Sequence, residues 1–396
     1  MNSDNCASDC SFDKKQSNVN HMVRLYVNPA WRREGVHTPL LNPWWGNPFN
    51  EMSILSRQMF DAYSFDTAYY AVTDNLREAD MVLAPYRHNW LLQFDNALLA
   101  ECTDAARSVH LPLLIDGSGD IEHPITTENT YVLRIGGYRF LPERGRIQVP
   151  PLSDDLLERY KEGRLDIRKK EEKKPIVGFA GWAKLSAIQF LRTIIKELPI
   201  RFRGIFDVRY RACIKGVLWR QKAIEILQRS PQIMFNLRAR SSFSASQKTA
   251  GGDMQKLREE MVDTIVQSDY ALDVRGDAND STRLFEILSL GRIPVIVDTE
   301  RNFPFSDQID YSSFALIVDF RDVKKLPEKI AEFHKNISPE RFEQMQRNAR
   351  ETYIHYFRID ALIRPMIVEL QNKIKYCPNI DEIPESITIP REALSK

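Results

Sequence analysis

Cysteine is scarce in this 396-residue chain. The five present (Cys6, Cys10, Cys102, Cys213 and Cys377) are scattered and form no Cys-x-x-Cys pair. That spacing argues against a disulfide framework and against a zinc site; a reducing compartment fits best. No apolar run reaches the roughly 18 residues that a bilayer-spanning helix needs. The first twenty residues are polar and lack the apolar segment of a secretory leader. An excess of one charge is missing too: 55 Lys and Arg face 54 Asp and Glu, for a formal net charge of +1. Nucleic-acid binders ordinarily show a concentrated basic face. The most basic run, "RKKEEKK" over 168–174, is interrupted by glutamates and reads as a solvated linker. Internal repeats and low-complexity blocks are also absent. The expectation is a soluble, cytoplasmic chain with no nucleic-acid partner.

What remains is 43% hydrophobic and 28% charged, an ordinary globular composition, in a length that suits two or three domains. Residues 1–20 read as a disordered tail. Strand patterns fall at 22–29, 78–86, 111–116 and 131–137, with helical spacing over 51–63 and 90–109. Strands alternating with helices imply βαβ units and a parallel sheet. Residues 149–174 are charged and open on a proline pair, which marks a boundary. The pattern restarts with a strand at 175–182, helices at 186–198 and 221–230, and a strand at 233–239. A helix at 252–268, strands at 269–274 and 314–320, and one or two long helices over 339–374 complete it. The expected division is a tail (1–20), a first α/β lobe (21–160), a charged linker (161–174), a second lobe (175–335) and C-terminal helices with a tail (336–396).

The most informative stretch is "RGDANDSTRLFEILSLGRIPVIV", residues 275–297. A strand ends at Val274, and Gly276 permits tight or left-handed geometry. Asp280 or Ser281 is a natural N-cap. Leu284, Ile287 and Leu288 form a buried stripe at i, i+3, i+4. Gly291 ends the helix, and "IPVIV" supplies the next parallel strand. The helix therefore starts just beyond the carboxyl end of a strand, where open α/β sheets bind ligands. Its N-terminus offers partial positive charge and unpaired N–H groups that suit a phosphate. Arg275 and Arg283 add cationic forks, and the Glu286 carboxylate could accept both hydrogens of a ribose diol. By spacing alone, an ordinary capped crossover with a solvent-facing Arg–Glu pair accounts for the stretch equally well. The Arg-Gly-Asp triplet is not read as an adhesion motif.

Residues 268–318 resemble the signature of exostosin-like proteins, glycosyltransferase family 47. Arg275, Gly276, Asp277, Ser281, Arg283, Glu286, Gly291, Ile293, Pro294, Pro304, Phe305, Ile309 and Asp310 stand at matching places. Tyr311 replaces the usual Trp, and Ala271 stands where many members carry Cys. Fainter matches are "EADMVLAPY" (78–86), "VPPLSD" (149–154) and "IVGFAGW" (176–182). The resemblance implies a GT-B architecture: two Rossmann-like lobes facing a cleft, with C-terminal helices packing back across them. It further implies inverting transfer of a sugar from a nucleotide-sugar donor, UDP- or GDP-linked, to a hydroxyl of a glycan or lipid-linked glycan. In that picture Glu286 holds the ribose. Ser281, Thr282, Arg283 and nearby N–H groups hold the diphosphate, with Arg275, Gly276 and Asp277 beside it. Arg238, at the end of a strand, is either a phosphate clamp or a surface arginine.

Inverting transfer needs a general base. Asp116 and Asp120, in "LPLLIDGSGDIEHP" (111–124), are the candidates, followed by His123 and His88; for each, a turn-forming or surface role is the plainer reading. No Asp-x-Asp occurs in the chain, which with the arginines suggests metal-independent chemistry, although Asp277 and Asp280 are the carboxylates that could hold magnesium. Trp44 and Trp45, with Trp31, either stack on an acceptor sugar or plug the loop at 31–49. Asn279-Asp280-Ser281 would be a glycosylation acceptor inside the donor loop in a secretory compartment, another reason to expect the cytoplasm, with peripheral contact at the inner membrane face if the acceptor is lipid-linked. The alternative is a catalytically inactive binding or scaffold subunit of a glycan-synthesising complex. Sequence leaves the sugar, the acceptor and the oligomeric state open.

Overall fold

The computed structural model describes residues 21–49, 54–119, 122–183, 185–240 and 253–376. The first lobe rests on six short strands: β1 (Val23–Tyr26), β2 (Tyr70–Thr73), β3 (Met81–Leu83), β4 (Leu113–Asp116), β5 (Thr130–Arg134) and β6 (Arg146–Gln148). All pair in parallel, in the order β2-β1-β3-β4-β5-β6. Their side chains are buried along β3, β4, β5 and β6, as expected where a parallel sheet is covered on both faces. The helices of this lobe are α1 (Asn42–Trp45), α2 (Ile54–Ala62), α3 (His88–Phe94) and α4 (Asn96–Ser108). The single helix expected over 90–109 is thus two. Asp95 leaves helical geometry at φ −151° and ψ 68°, and its side chain caps α4 by accepting from the Leu98 N–H. The pattern also gave no sign of β2 or β6.

The second lobe begins with α5 (Leu156–Lys161) and continues through β7 (Ile176–Trp182), α6 (Ala187–Lys196), α7 (Leu198–Phe206), α8 (Gly216–Arg229), β8 (Met234–Arg240), α9 (Met254–Val266), β9 (Tyr270–Val274), α10 (Thr282–Ser289), β10 (Ile293–Asp298), β11 (Leu316–Asp319) and α11 (Leu326–Asn336). Its five strands are again all parallel, in the order β11-β10-β9-β7-β8. Helix α7 was hidden in the sequence by Pro199 and Gly204. Helix α5 packs on this lobe, with Leu156 and Leu157 in one cluster with Val262 of α9 and Ile287 of α10.

Two last helices, α12 (Pro339–Thr352) and α13 (Ile363–Tyr376), are joined by a π-helical turn. They return across the molecule. Arg350 of α12 pairs with Asp155 at 2.6 Å, and the Glu369 side chain of α13 accepts from the Gln148 N–H of β6. One hydrophobic core runs from Leu25 of β1 through Ile367 of α13 to Phe285 of α10. This is the GT-B form expected above: two α/β lobes with the C-terminal helices laid back over them. The carboxyl ends of the two sheets meet. Gly136 and Gly137, just past β5, lie against the loop after β9, while Arg139 pairs with Asp298 at the end of β10 at 2.7 Å. Gly136 has φ +83°, and a Cβ there would sit 2.9 Å from the Asn279 nitrogen, so only glycine allows this approach.

Candidate functional site

The loop between β9 and α10 is anchored from beneath. Arg301, fully buried, bonds Asp273 at 2.7 Å and lies 3.7 Å from Asp280. Burial raises the Asp280 carboxyl to about 7, with Arg301 opposing the shift. Its Oδ1 accepts from the Ser281 N–H, and the Gly276 N–H donates to the Asp280 carbonyl, closing the loop. Asn279 points to the other lobe and donates to the Gly137 carbonyl at 2.9 Å. Ser281 is the N-cap, accepting from the Arg283 N–H at 3.2 Å. Thr282 and Asp277 are exposed.

The two arginines of the stretch have different situations. Arg275 is buried over the Tyr138 ring and donates to the Ile214, Cys213 and Asp277 carbonyls. Arg283 has no such set. It lies 3.5 Å from Glu286, and its buried Nη1 has no hydrogen-bond partner. Burial lowers its pKa; Glu286 opposes this, and the charges of Arg258 and Arg240 add to it. Glu286 is enclosed: Arg258 approaches one oxygen at 3.2 Å and Arg283 the other. The single buried stripe expected for α10 is instead burial from Leu284 to Ser289, because α12 and the π turn cover one side and α5 the other.

One residue missed by the sequence reading completes this picture. Arg220 donates to the carbonyls of Trp182, Val274 and Arg275, at the ends of β7 and β9. Burial and the charge of Arg283 lower its pKa to about 10. A signal was there: Arg220 is in register with Ala223, Ile224 and Leu227, the buried stripe of α8. Two desolvated cations beside the ends of β7 and β9 have the charge and burial that suit an anion. Gly181, whose Cβ would be 3.4 Å from Arg283 Nη2, keeps that face open. Arg238 stands apart on the edge strand β8, half-exposed and 3.7 Å from Glu260.

In the first lobe Asp116 ends β4, buried, with both oxygens engaged. Thr38 donates to one at 3.0 Å and Ser118, through N–H and hydroxyl, to the other; Arg87 lies 3.7 Å away. Asp120 lies outside the described residues. His88 opens α3 and is buried; burial, with Arg134 and His123, drives its pKa down to about 4, so the imidazole is neutral. The His123 ring stands 6.3 Å from it. Trp31 is in the core, Trp45 packs against His37 and under Arg32, and Trp44 is partly exposed beside Tyr70. Among the described residues no group of three or more His, Cys, Asp or Glu could hold a metal ion, and no helix is long and apolar enough to cross a membrane.

Comparison with known proteins bears on the second lobe. Residues 220–333 match the Exostosin GT47 domain family. The matched stretch contains Arg220, Arg258, Arg275, Arg283 and Glu286; the first lobe and β7 lie outside the match. Over 123 residues the chain is 30% identical to the Exostosin-1 homolog of Caenorhabditis elegans, covering 30% of this chain and 31% of that protein. The chain thus spans about a third of that relative. Among solved structures it is similar to a glycosyltransferase from Rickettsia africae ESF-5 (10% identity, TM-score 0.37, 92% of this chain and 100% of that one). It is also similar to Anabaena Alr3699/HepE in complex with UDP and glucose (10% identity, TM-score 0.32, 90% and 100%).

Proposed function

We propose that this protein is an inverting glycosyltransferase that moves a sugar from a nucleotide-sugar donor to a hydroxyl of a glycan or lipid-linked glycan. The observation that carries this is the pair Arg220 and Arg283: two desolvated cations within the stretch that matches the exostosin GT47 family, each with an unpartnered buried nitrogen, at the carboxyl ends of β7 and β9. Such a pair favours a diphosphate. The Ser281 N-cap and exposed Thr282 put the helix N-terminus beside it, and lone pairs left on Glu286 accept ribose hydroxyls. In the reaction an acceptor oxygen attacks the anomeric carbon, and the bond from that carbon to the phosphate oxygen breaks. The nucleoside diphosphate leaves with the bonding electrons, its added charge met by the arginines. The acceptor proton passes to a carboxylate of the first lobe, Asp120 or Asp116. Arginines in the place of a cation make the transfer metal-independent, with UDP or GDP as the donor nucleotide.

A thermal-shift panel of UDP-, GDP-, CMP- and dTDP-sugars, with and without magnesium, tests the reading, since a ligand stabilises by mass action. One nucleotide class should raise the melting temperature without magnesium, and donor turnover should follow with a suitable acceptor. No shift from any nucleoside diphosphate would remove the donor site. The inactive-subunit reading has one observation in its favour, the engaged oxygens of Asp116. Donor binding with no turnover, unchanged by Asp120→Asn, would select it.

A further inference from the structure

Helices α6 and α7 form the most exposed apolar surface of the second lobe. No side chain of α6 is buried. Ile188 (66%), Leu191 (61%), Ile195 (58%), Phe202 (62%), Ile205 (69%) and Phe206 (79%) all face solvent. A contiguous apolar patch of this kind marks an interaction site. What it meets is decided by two further observations.

The first is charge. Between Ala187 and Arg211 six cations, Arg192, Lys196, Arg201, Arg203, Arg209 and Arg211, stand against two acids, Glu197 and Asp207. Both acids are already engaged inside the segment, Glu197 by Arg201 and Asp207 by Arg209, each at 2.8 Å or less. The patch is therefore apolar and net positive in a chain that is nearly neutral overall. A second copy of this chain seated on it would set the surplus cations of both copies against each other. Exposed apolar rings and branches interleaved with basic side chains are instead what a helix lying in an anionic membrane interface requires.

The second is position. The turn after α7 reaches the junction of the lobes: Tyr210 packs edge-on to Phe140 at 5.3 Å, and Arg209 lies over the same ring. The Glu197 side chain that joins α6 to α7 accepts from the Lys215 N–H, directly before α8. Gly216, the first residue of α8, is so near the β9–α10 loop that a Cβ would fall 2.0 Å from the Gly276 carbonyl oxygen. The α6–α7 pair is thus tied to the start of α8, which touches the β9–α10 loop.

We infer that α6 and α7 dock this protein peripherally on an anionic lipid surface. The inference goes beyond the transfer reading and does not depend on it. Its test is flotation of the full chain with vesicles of phosphatidylcholine alone and of phosphatidylcholine mixed with phosphatidylglycerol. The mixed vesicles should carry about tenfold more protein or better, a preference that high salt removes. The double variant Phe202→Ser, Phe206→Ser should lose flotation while keeping the wild-type melting temperature. Arg192→Glu with Arg203→Glu should lose the preference for anionic lipid. The inference is overturned if the wild type stays unbound on mixed vesicles, or if both double variants float as well as it does. It is overturned equally if light scattering shows a dimer that the Phe202/Phe206 variant splits, with no flotation by either form. Flotation without any nucleotide shift would leave the docking surface standing and remove only the donor site.

Discussion

Arg283 is a cation held partly out of water with one carboxylate beside it. Such a group costs folding free energy that an anionic ligand offsets. Arg283→Gln should therefore weaken nucleoside diphosphate binding by about 10- to 100-fold, the value of one charge-assisted hydrogen bond. Stability should change by less than about 1 kcal/mol, because Arg258 still pairs with Glu286. Isothermal titration and urea unfolding read the two effects separately; a large stability loss with affinity intact would assign Arg283 to the scaffold. Glu286→Gln should weaken binding and stability together. It leaves Arg258 and Arg283 without a counter-charge and should cost about 2–4 kcal/mol in urea unfolding. At this scale the sequence was informative about residue types and blind to partners. Arg275 and Arg283 look alike in the string, yet one is engaged by three backbone carbonyls and the other is not. Arg220 lies 54 residues from the Val274 carbonyl it meets, a separation that no local pattern spans.

Elements carry the next set of consequences. Gly136 lets the chain after β5 pass against Asn279. Gly136→Ala adds a Cβ at a positive φ and against backbone, and should cost about 2–4 kcal/mol with a lower urea midpoint. Helix α13 holds a pH-sensitive contact. Burial raises the Glu369 carboxyl from 4.5 to about 7 where it accepts from the Gln148 N–H of β6, and its other oxygen has no partner. A carboxyl raised on folding favours the native state while protonated. Its contribution is complete below its unfolded pKa and is lost as pH rises through about 7. Glu369→Gln should flatten the fall in melting temperature between pH 4.5 and about 7, the interval between its unfolded and folded values. An unchanged slope in a melt series would place the titration elsewhere. Periodicity found most elements, such as α9 and β9, and failed on β2, β6 and α7, the last interrupted by Pro199 and Gly204.

At the scale of the whole molecule, the tail decides whether there is one body or two. Ile363, Met366, Ile367 and Leu370 of α13 are almost fully buried, in the same core as β1, β3 and α10. At about 2 kcal/mol for each buried aliphatic side chain, their loss is comparable to the net stability of an ordinary domain. A chain ending at residue 359 should lose its cooperative melt by circular dichroism. A sharp transition retained in that truncation would mean that the lobes stand without the tail.

The sequence by itself determined that this would be a two-lobed α/β protein, with a loop–helix unit over 274–297 that lies within the exostosin match. Those features live in local patterns: β-branched runs, capping residues, a glycine past a helix, a fixed spacing of Arg, Ser and Glu. Only the tertiary structure decided which side chains of that unit are engaged in holding it in place and which are left short of partners. Asn279 and Arg275 donate to backbone carbonyls, whereas Arg283 has one carboxylate beside it and a buried Nη1 with no partner. The reason is physical: desolvation and pairing depend on what arrives from the other strands, helices and lobe, and those arrivals are properties of the packed molecule.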